Sequence, residues 1–180
     1  MPRRGQLATG EDESRFATPA NADERTMLVA LLDAQRRTFA LKCAGLSPEQ
    51  LATRAVPPST LSLLGLLRHL TDVERRWFRA DMAAEDAPPL FSSPDDPDGD
   101  FDGAVGDAGV VEAAWAAWRA EVEFAEAFTA TAASLDVEGV DGWRGTLSLR
   151  WVLAHMVEEY ARHNGHADLL RERVDGAIGL

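Results

Sequence analysis

The sequence predicts an all-α fold, a bundle of four long helices, on three observations. Four stretches repeat apolar residues at helical spacing, each is bounded by capping side chains, proline or glycine, and no stretch shows the alternation of a half-buried strand. At 180 residues the chain suffices for one well-buried core and does not demand two. The expected organisation is an N-terminal arm over residues 1–22, where charge, Gly, Pro and Thr mix without a period, and one helical domain over residues 23–180.

The first helix opens at Asp23, a capping residue, and carries Leu28, Leu31, Leu32, Gln35 and Phe39 toward Cys43. Ser47-Pro48-Glu49-Gln50 predicts a short helical turn, because a capping serine, a proline at the first helical position and a glutamine three residues after the cap occur together. Pro57-Pro58 ends it. Ser59-Thr60 can cap the second long helix, where Leu63, Leu64, Leu66, Leu67, Leu70, Val73 and Trp77 give a wide apolar face running to about Met82. Glu85 to Gly106 is rich in Asp, Pro, Gly and Ser, which predicts a long irregular loop. A loop of that length is functional or mobile, and Leu90, Phe91 and Phe101 are placed to pin it over the body near the mouth of a site. Asp107 caps a third long helix from Ala108 to Ala133, with Val111, Trp115, Trp118, Val122, Ala125 and Phe128 in phase; Trp115 and Trp118 belong to the core or to a homodimer surface. After a turn-rich piece from Asp136 to Gly145, Thr146 or Ser148 opens a fourth helix from Leu149 to Arg173, ending before Gly176.

Hydrophobic residues make up 46% of the chain and charged residues 27%, a globular composition, while a net charge of −12 argues against nucleic acid and against an anionic membrane surface. The longest apolar runs are broken by Arg68 or Arg150 and fall far short of the ~20 residues of a membrane span. A single cysteine, Cys43, excludes an intramolecular disulfide framework and suits a reducing compartment; with no export signal visible, the expectation is a soluble, cytoplasmic protein.

Chemistry concentrates on the fourth helix. An α-helix turns about 100° per residue, so His155, Glu159, His163 and His166 fall within an arc of roughly 80° and form one stripe. The remaining histidine, His69, stands on the apolar second helix, where a lone histidine is ordinarily a satisfied core residue. The stripe reverses that expectation. Glu159 and His163, one turn apart, can reach a common divalent ion, and His69 from a facing helix completes a two-histidine, one-carboxylate set. Zn²⁺ suits it first, Ni²⁺, Fe²⁺ or Mn²⁺ would accept the same ligands, and three protein ligands leave a position for water or substrate. His155 is then a group supporting a ligand, and His166 a ligand in place of Glu159 or an acid/base residue; spacing does not separate these roles. Glu158, Arg162 and Arg171 read as solvent-facing charges, Cys43 as a small buried hydrophobe rather than a nucleophile, and Asp95-Asp96-Pro97-Asp98 lacks the spacing of a calcium loop.

Leu66-Leu67-Arg68-His69-Leu70 through Glu74 and Trp77, together with His155-Met156-Val157-Glu158-Glu159-Tyr160-Ala161-Arg162-His163-Asn164-Gly165-His166, resembles the DinB-like (DinB/YfiT-like metalloenzyme) superfamily. Leu149-Arg150-Trp151-Val152-Leu153-Ala154-His155 and Ala167-Asp168-Leu169-Leu170-Arg171-Glu172 look like its actinobacterial mini-circle branch, and the likeness covers about residues 24–178. The resemblance implies a four-helix bundle with up-down-down-up connectivity and a divalent-metal triad of one histidine on the second helix and two on the last. His69 matches the first ligand and His163 the last, whereas Glu159 departs from the all-histidine pattern as in the mycothiol-dependent maleylpyruvate isomerases. It further implies a metal-activated low-molecular-weight thiol such as mycothiol, transferred to or isomerising a small electrophile, with His166 or His155 orienting a ligand or moving a proton. The alternative is a non-catalytic bundle stabilised by its metal, or a stress-related interaction protein.

Overall fold

A computed structural model describes residues 17–178; the expected arm lies mostly outside the described residues, and 17–22 carry no regular structure. Helix α1, Glu24–Cys43, begins where the Asp23 carboxylate accepts the Thr26 N–H at 3.0 Å. Helix α2, Pro48–Leu51, has the full reciprocal capping box of Ser47 and Gln50. Helix α3, Leu63–Glu74, is followed without a break by a π-helical stretch, Arg75–Met82. After a one-turn helix α4, Gly99–Asp102, come α5, Ala108–Thr131, strands β1, Glu138–Asp141, and β2, Gly145–Ser148, and finally α6, Leu149–Asp175, closed by Gly176 at φ +78°. The described residues are mostly helical.

α1 packs along α6, and α3 lies against both α5 and α6. Leu64, Leu66, Leu70 and Phe78 from the α3 rod, Phe39 from α1 and Leu149, Val152, Met156 and Ala167 from α6 are fully enclosed between them. Residues three and four apart on each helix thus share one buried face, as the sequence pattern requires. α3 and α6 run antiparallel: His69 meets His163 at one end of their contact, and Trp77 meets His155 and Trp151 at the other.

The core is crossed by a polar chain. Arg36 of α1 donates from Nε and Nη2 to the two carboxylate oxygens of Glu74 on α3, each at 2.7 Å. Tyr160 of α6 donates its hydroxyl to Glu74 at 2.9 Å, and Trp118 of α5 donates its indole N–H to the Tyr160 oxygen at 2.8 Å. All four side chains are buried, so burial raises the Tyr160 hydroxyl pKa well above its usual value and the adjacent Glu74 charge acts the same way. This chain places Trp118 in the core.

Four local expectations are corrected. Ser62, and neither Ser59 nor Thr60, caps α3, its hydroxyl accepting the Gly65 N–H at 3.0 Å; Ser59 instead closes a turn by accepting from Leu61. The turn-rich piece contains a hairpin, its strands too short for an alternating pattern to register. Asp141 there accepts the Trp143 and Arg144 amides, and Gly145, the first residue of β2, takes φ +78° directly after the three-residue connection. Arg171 is not a surface charge: it is buried and donates to the Lys42 and Ala44 carbonyls, satisfying the end of α1. The loop from Glu85 to Gly106 includes α4, because its prolines precede the turn and leave Asp98–Gly103 free to close. Glu158 and Arg162 are exposed as expected.

That loop is fastened by consecutive turns of α3. Asp72 accepts the Leu90, Phe91 and Ser92 amides, and Arg68 donates to the Gly99 and Asp100 carbonyls at 2.9 and 2.8 Å. Phe91 lies under the Arg68 guanidinium and Phe101 stacks on His69, while Leu90 stays exposed. Gly65 allows the approach, since a Cβ there would come within 2.8 Å of the Phe101 ring.

Arg36→Met should cost about 3–5 kcal/mol, because it leaves Glu74 buried without its counter-charge. Tyr160→Phe, which removes one hydrogen bond to that carboxylate and leaves the Trp118 N–H without its acceptor, should cost about 1–3 kcal/mol. Urea unfolding midpoints check both, and an Arg36→Met protein as stable as wild type would contradict the ordering.

Candidate metal centre

One ligand atom each from His69, Glu159 and His163 lie within 4.8 Å of one another. The α3–α6 contact brings them together, and the His69 and His163 ring centroids stand 4.8 Å apart. Glu159 and His163 share a face because one helical turn separates them, with His163 Nε2 3.5 Å from Glu159 Oε2. His163 is buried, and His69 and Glu159 are half-buried at the edge of the helix pair.

Each of the three is supported by a further side chain. His69 Nδ1 lies 2.8 Å from the buried Asp100 carboxylate, which can only accept; Nδ1 therefore carries the proton and the Nε2 lone pair is free. Asp100 is itself held by the Phe101 amide at 2.9 Å. His155 Nε2 approaches the second oxygen of Glu159 at 3.3 Å, and its ring stacks on Trp151. His166 Nδ1 stands 3.4 Å from His163 Nδ1, so one of the two rings donates and the other accepts.

The electrostatics favour an anionic carboxylate at Glu159. The hydrogen bond from His163 holds the Glu159 pKa below the usual carboxylate range against the opposing effect of its partial burial, and the charges of His155, His163 and His69 act with that bond. His166 is pushed below the usual histidine value, first by burial and then by His163 and Arg162, so near neutrality its imidazole is uncharged. Two imidazole nitrogens and one carboxylate oxygen, with the His69 tautomer fixed by Asp100, fit a borderline divalent cation such as Zn²⁺.

Beside His69 opens a cleft of about 400 Å³ between α3 and the loop, with Asp72, Val73, Arg76, Pro89 and Asp100 in its walls. A larger groove, about 620 Å³, lies away from the histidines, between α1 and α5, with Asp33, Arg36 and Glu126 in its walls beside Val29, Ala30 and Leu32. Of the groups around the triad, His69 and Asp100 line the smaller space.

Asp100 is the functional residue that the sequence does not single out. It is one of several aspartates in an irregular loop, and only the clamps from Arg68 and Asp72 bring it onto His69. The neighbouring Phe101, expected to pin the loop, is the nearest signal. Cys43 lies in the core, and burial raises its thiol pKa to about 12 against the opposing charge of Arg171. The thiol stays protonated at every pH below that value, so in folded protein at about pH 8 it should react with a disulfide reagent only as the chain unfolds. Prompt stoichiometric labelling in native buffer would contradict this.

No helix among the described residues is long and apolar enough to cross a membrane. No curated protein matches the chain. The family model described as Mycothiol-S-transferase matches residues 27–176, which include α3, the loop and α6, the elements that carry the site. The chain therefore belongs to the Mycothiol-S-transferase family, within the DinB-like superfamily.

Proposed function

We propose that this protein is a divalent-metal, thiol-dependent transferase or isomerase, in which His69, Glu159 and His163 hold the ion and a mycothiol-type thiol reacts with a small electrophile. The observation that carries the reading is the convergence of the three ligand atoms from α3 and α6 within 4.8 Å, at the edge of a cleft wide enough for a small molecule. Bound there, zinc would stabilise a thiolate near neutral pH and so supply a nucleophile without a protein cysteine.

The chain's own groups have distinct tasks in this reading. Asp100 keeps the proton on His69 Nδ1 and the other nitrogen free. His155 positions Glu159 through its second oxygen. His166, neutral and beside His163, accepts a proton from the incoming thiol or steadies the His163 ring. The same reading takes the four long helices as a DinB-like bundle with up-down-down-up connectivity, residues 23–180 as its domain, zinc as the metal and the cytoplasm as its place. The buried Arg36–Glu74–Tyr160–Trp118 chain supports a catalytic over a purely structural ion, because it already joins the helices that an ion would tie.

Elemental analysis tests the site: wild type should carry close to one divalent ion per chain, and His69→Ala and Glu159→Ala should carry almost none. Wild type that stays metal-free after divalent ions are supplied would remove the enzyme reading. Asp100→Ala should weaken metal affinity about 10–100-fold with the ligands intact. His163→Ala should abolish thiol transfer while keeping the helical circular-dichroism signal, since the apolar faces sustain the fold; apo protein that unfolds would assign the ion a structural role.

A further inference from the structure

The stripe on α6 does not end at His155. One turn before His155, Trp151 stacks on the His155 ring at 4.7 Å, and Trp77 from the α3 rod meets both rings edge-on. The hairpin closes over this group. Arg144 places its guanidinium 5.2 Å from the Trp151 ring centroid, 5.6 Å from that of Trp77 and 4.5 Å from that of Trp143 at the hairpin tip. Trp143 is 81% exposed and Trp151 36% exposed, so two indoles and an arginine form an open platform on the surface.

The platform is continuous with the cleft beside His69. Arg76 lines that cleft, lies over the Trp77 ring at 4.9 Å and donates to Asp141 of the hairpin at 2.6 Å. Asp141 in turn accepts the Trp143 and Arg144 amides, which sets the direction of the hairpin tip. From Trp151 to Glu159 the helix rises about 12 Å at 1.5 Å per residue. A ligand reaching from the platform to the ion-binding triad must therefore be bipartite, with its reactive atom at one end.

We propose that this Trp143–Arg144–Trp151 platform is the recognition subsite for the polyhydroxylated, glycosidic body of the thiol cosubstrate, whose sulfur lies at the triad. The inference rests on the thiol-transfer reading for the identity of the ligand. An apolar ligand needs an enclosing pocket that hides most of its surface, and the platform provides none. A sugar ring needs less: its C–H face covers an indole while its hydroxyls stay in water or accept from Arg144. Arg144 already has its guanidinium face against the indoles and its carboxylate neighbour Asp141 is 3.8 Å away, so its N–H groups at the rim remain available to oxygen acceptors.

The test is calorimetric titration of the metal-loaded full chain with the sulfur-free glycosidic core of mycothiol, an amino sugar joined to inositol. Wild type should bind it, Trp143→Ala and Arg144→Ala should each bind about ten-fold more weakly, equivalent to about 1.4 kcal/mol, and Trp143→Phe should retain most of the affinity. Helicity and metal content of the variants report that the fold and the triad persist. Absence of binding to wild type, or equal binding to wild type and both alanine variants, would overturn the subsite. So would a change of oligomeric state in Trp143→Ala with core binding unaltered, which would assign the platform to self-association. Core binding that depends on Trp143 in a protein without thiol turnover would uphold the subsite and remove the transferase reading, so the two failures are distinguishable.

Discussion

The buried Glu74 carboxylate is the point on which the rest of the structure depends. It is an ion with no access to water, and it survives there because Arg36 neutralises it and Tyr160, itself held by Trp118, fills its remaining hydrogen-bonding capacity. Each of those partners comes from a different long helix. Hydrophobic faces alone tolerate sliding, because one leucine packs about as well as its neighbour a turn away. A charge with a fixed set of donors does not tolerate it. Glu74 follows His69 by less than two turns on α3, and Tyr160 precedes His163 by less than one on α6. The hydrogen bond between Glu74 and Tyr160 therefore sets the axial register of the two helices next to the place where their histidines meet.

Around that register the site is assembled in layers. The ligand atoms come from two helices, the group that fixes the His69 tautomer comes from the loop, and the aromatic groups beyond His155 come from the α3 rod and the hairpin. α3 organises three of these contributions. Its Arg68 and Asp72 bind loop backbone, its His69 faces α6, and Arg76 in the π-helical continuation reaches the hairpin. The loop is thus held by charge-assisted hydrogen bonds to its backbone, with Phe91 and Phe101 packed alongside. α1 is fastened just as firmly on the other side, where Asn164 donates to Gln35, Arg171 caps the α1 carbonyls and Asp168 pairs with Lys42.

Much of this was legible before any coordinates. Helix existence, the caps at Asp23, Ser47 and Asp107 and the glycine stop at Gly176 follow from local rules, because a cap is satisfied by atoms within four residues. The stripe of His155, Glu159, His163 and His166 is likewise a property of one helix and its period. The hairpin escaped notice because four-residue strands are too short for alternation to register, and the buried Arg171 because burial depends on a neighbouring chain end that no local pattern describes.

The sequence by itself determined where the long helices lie, which of their faces are apolar and which side chains could share an ion with a partner one turn away, since these depend on spacing along a single element. Tertiary structure decided that His69 meets that stripe, that Asp100 among several loop aspartates holds it, and that Trp143 and Arg144 close over Trp151. Those facts depend on which helix lies against which and in what register. Distance between elements is set by the packed core and the buried Glu74 network, and it has no period for a sequence to display.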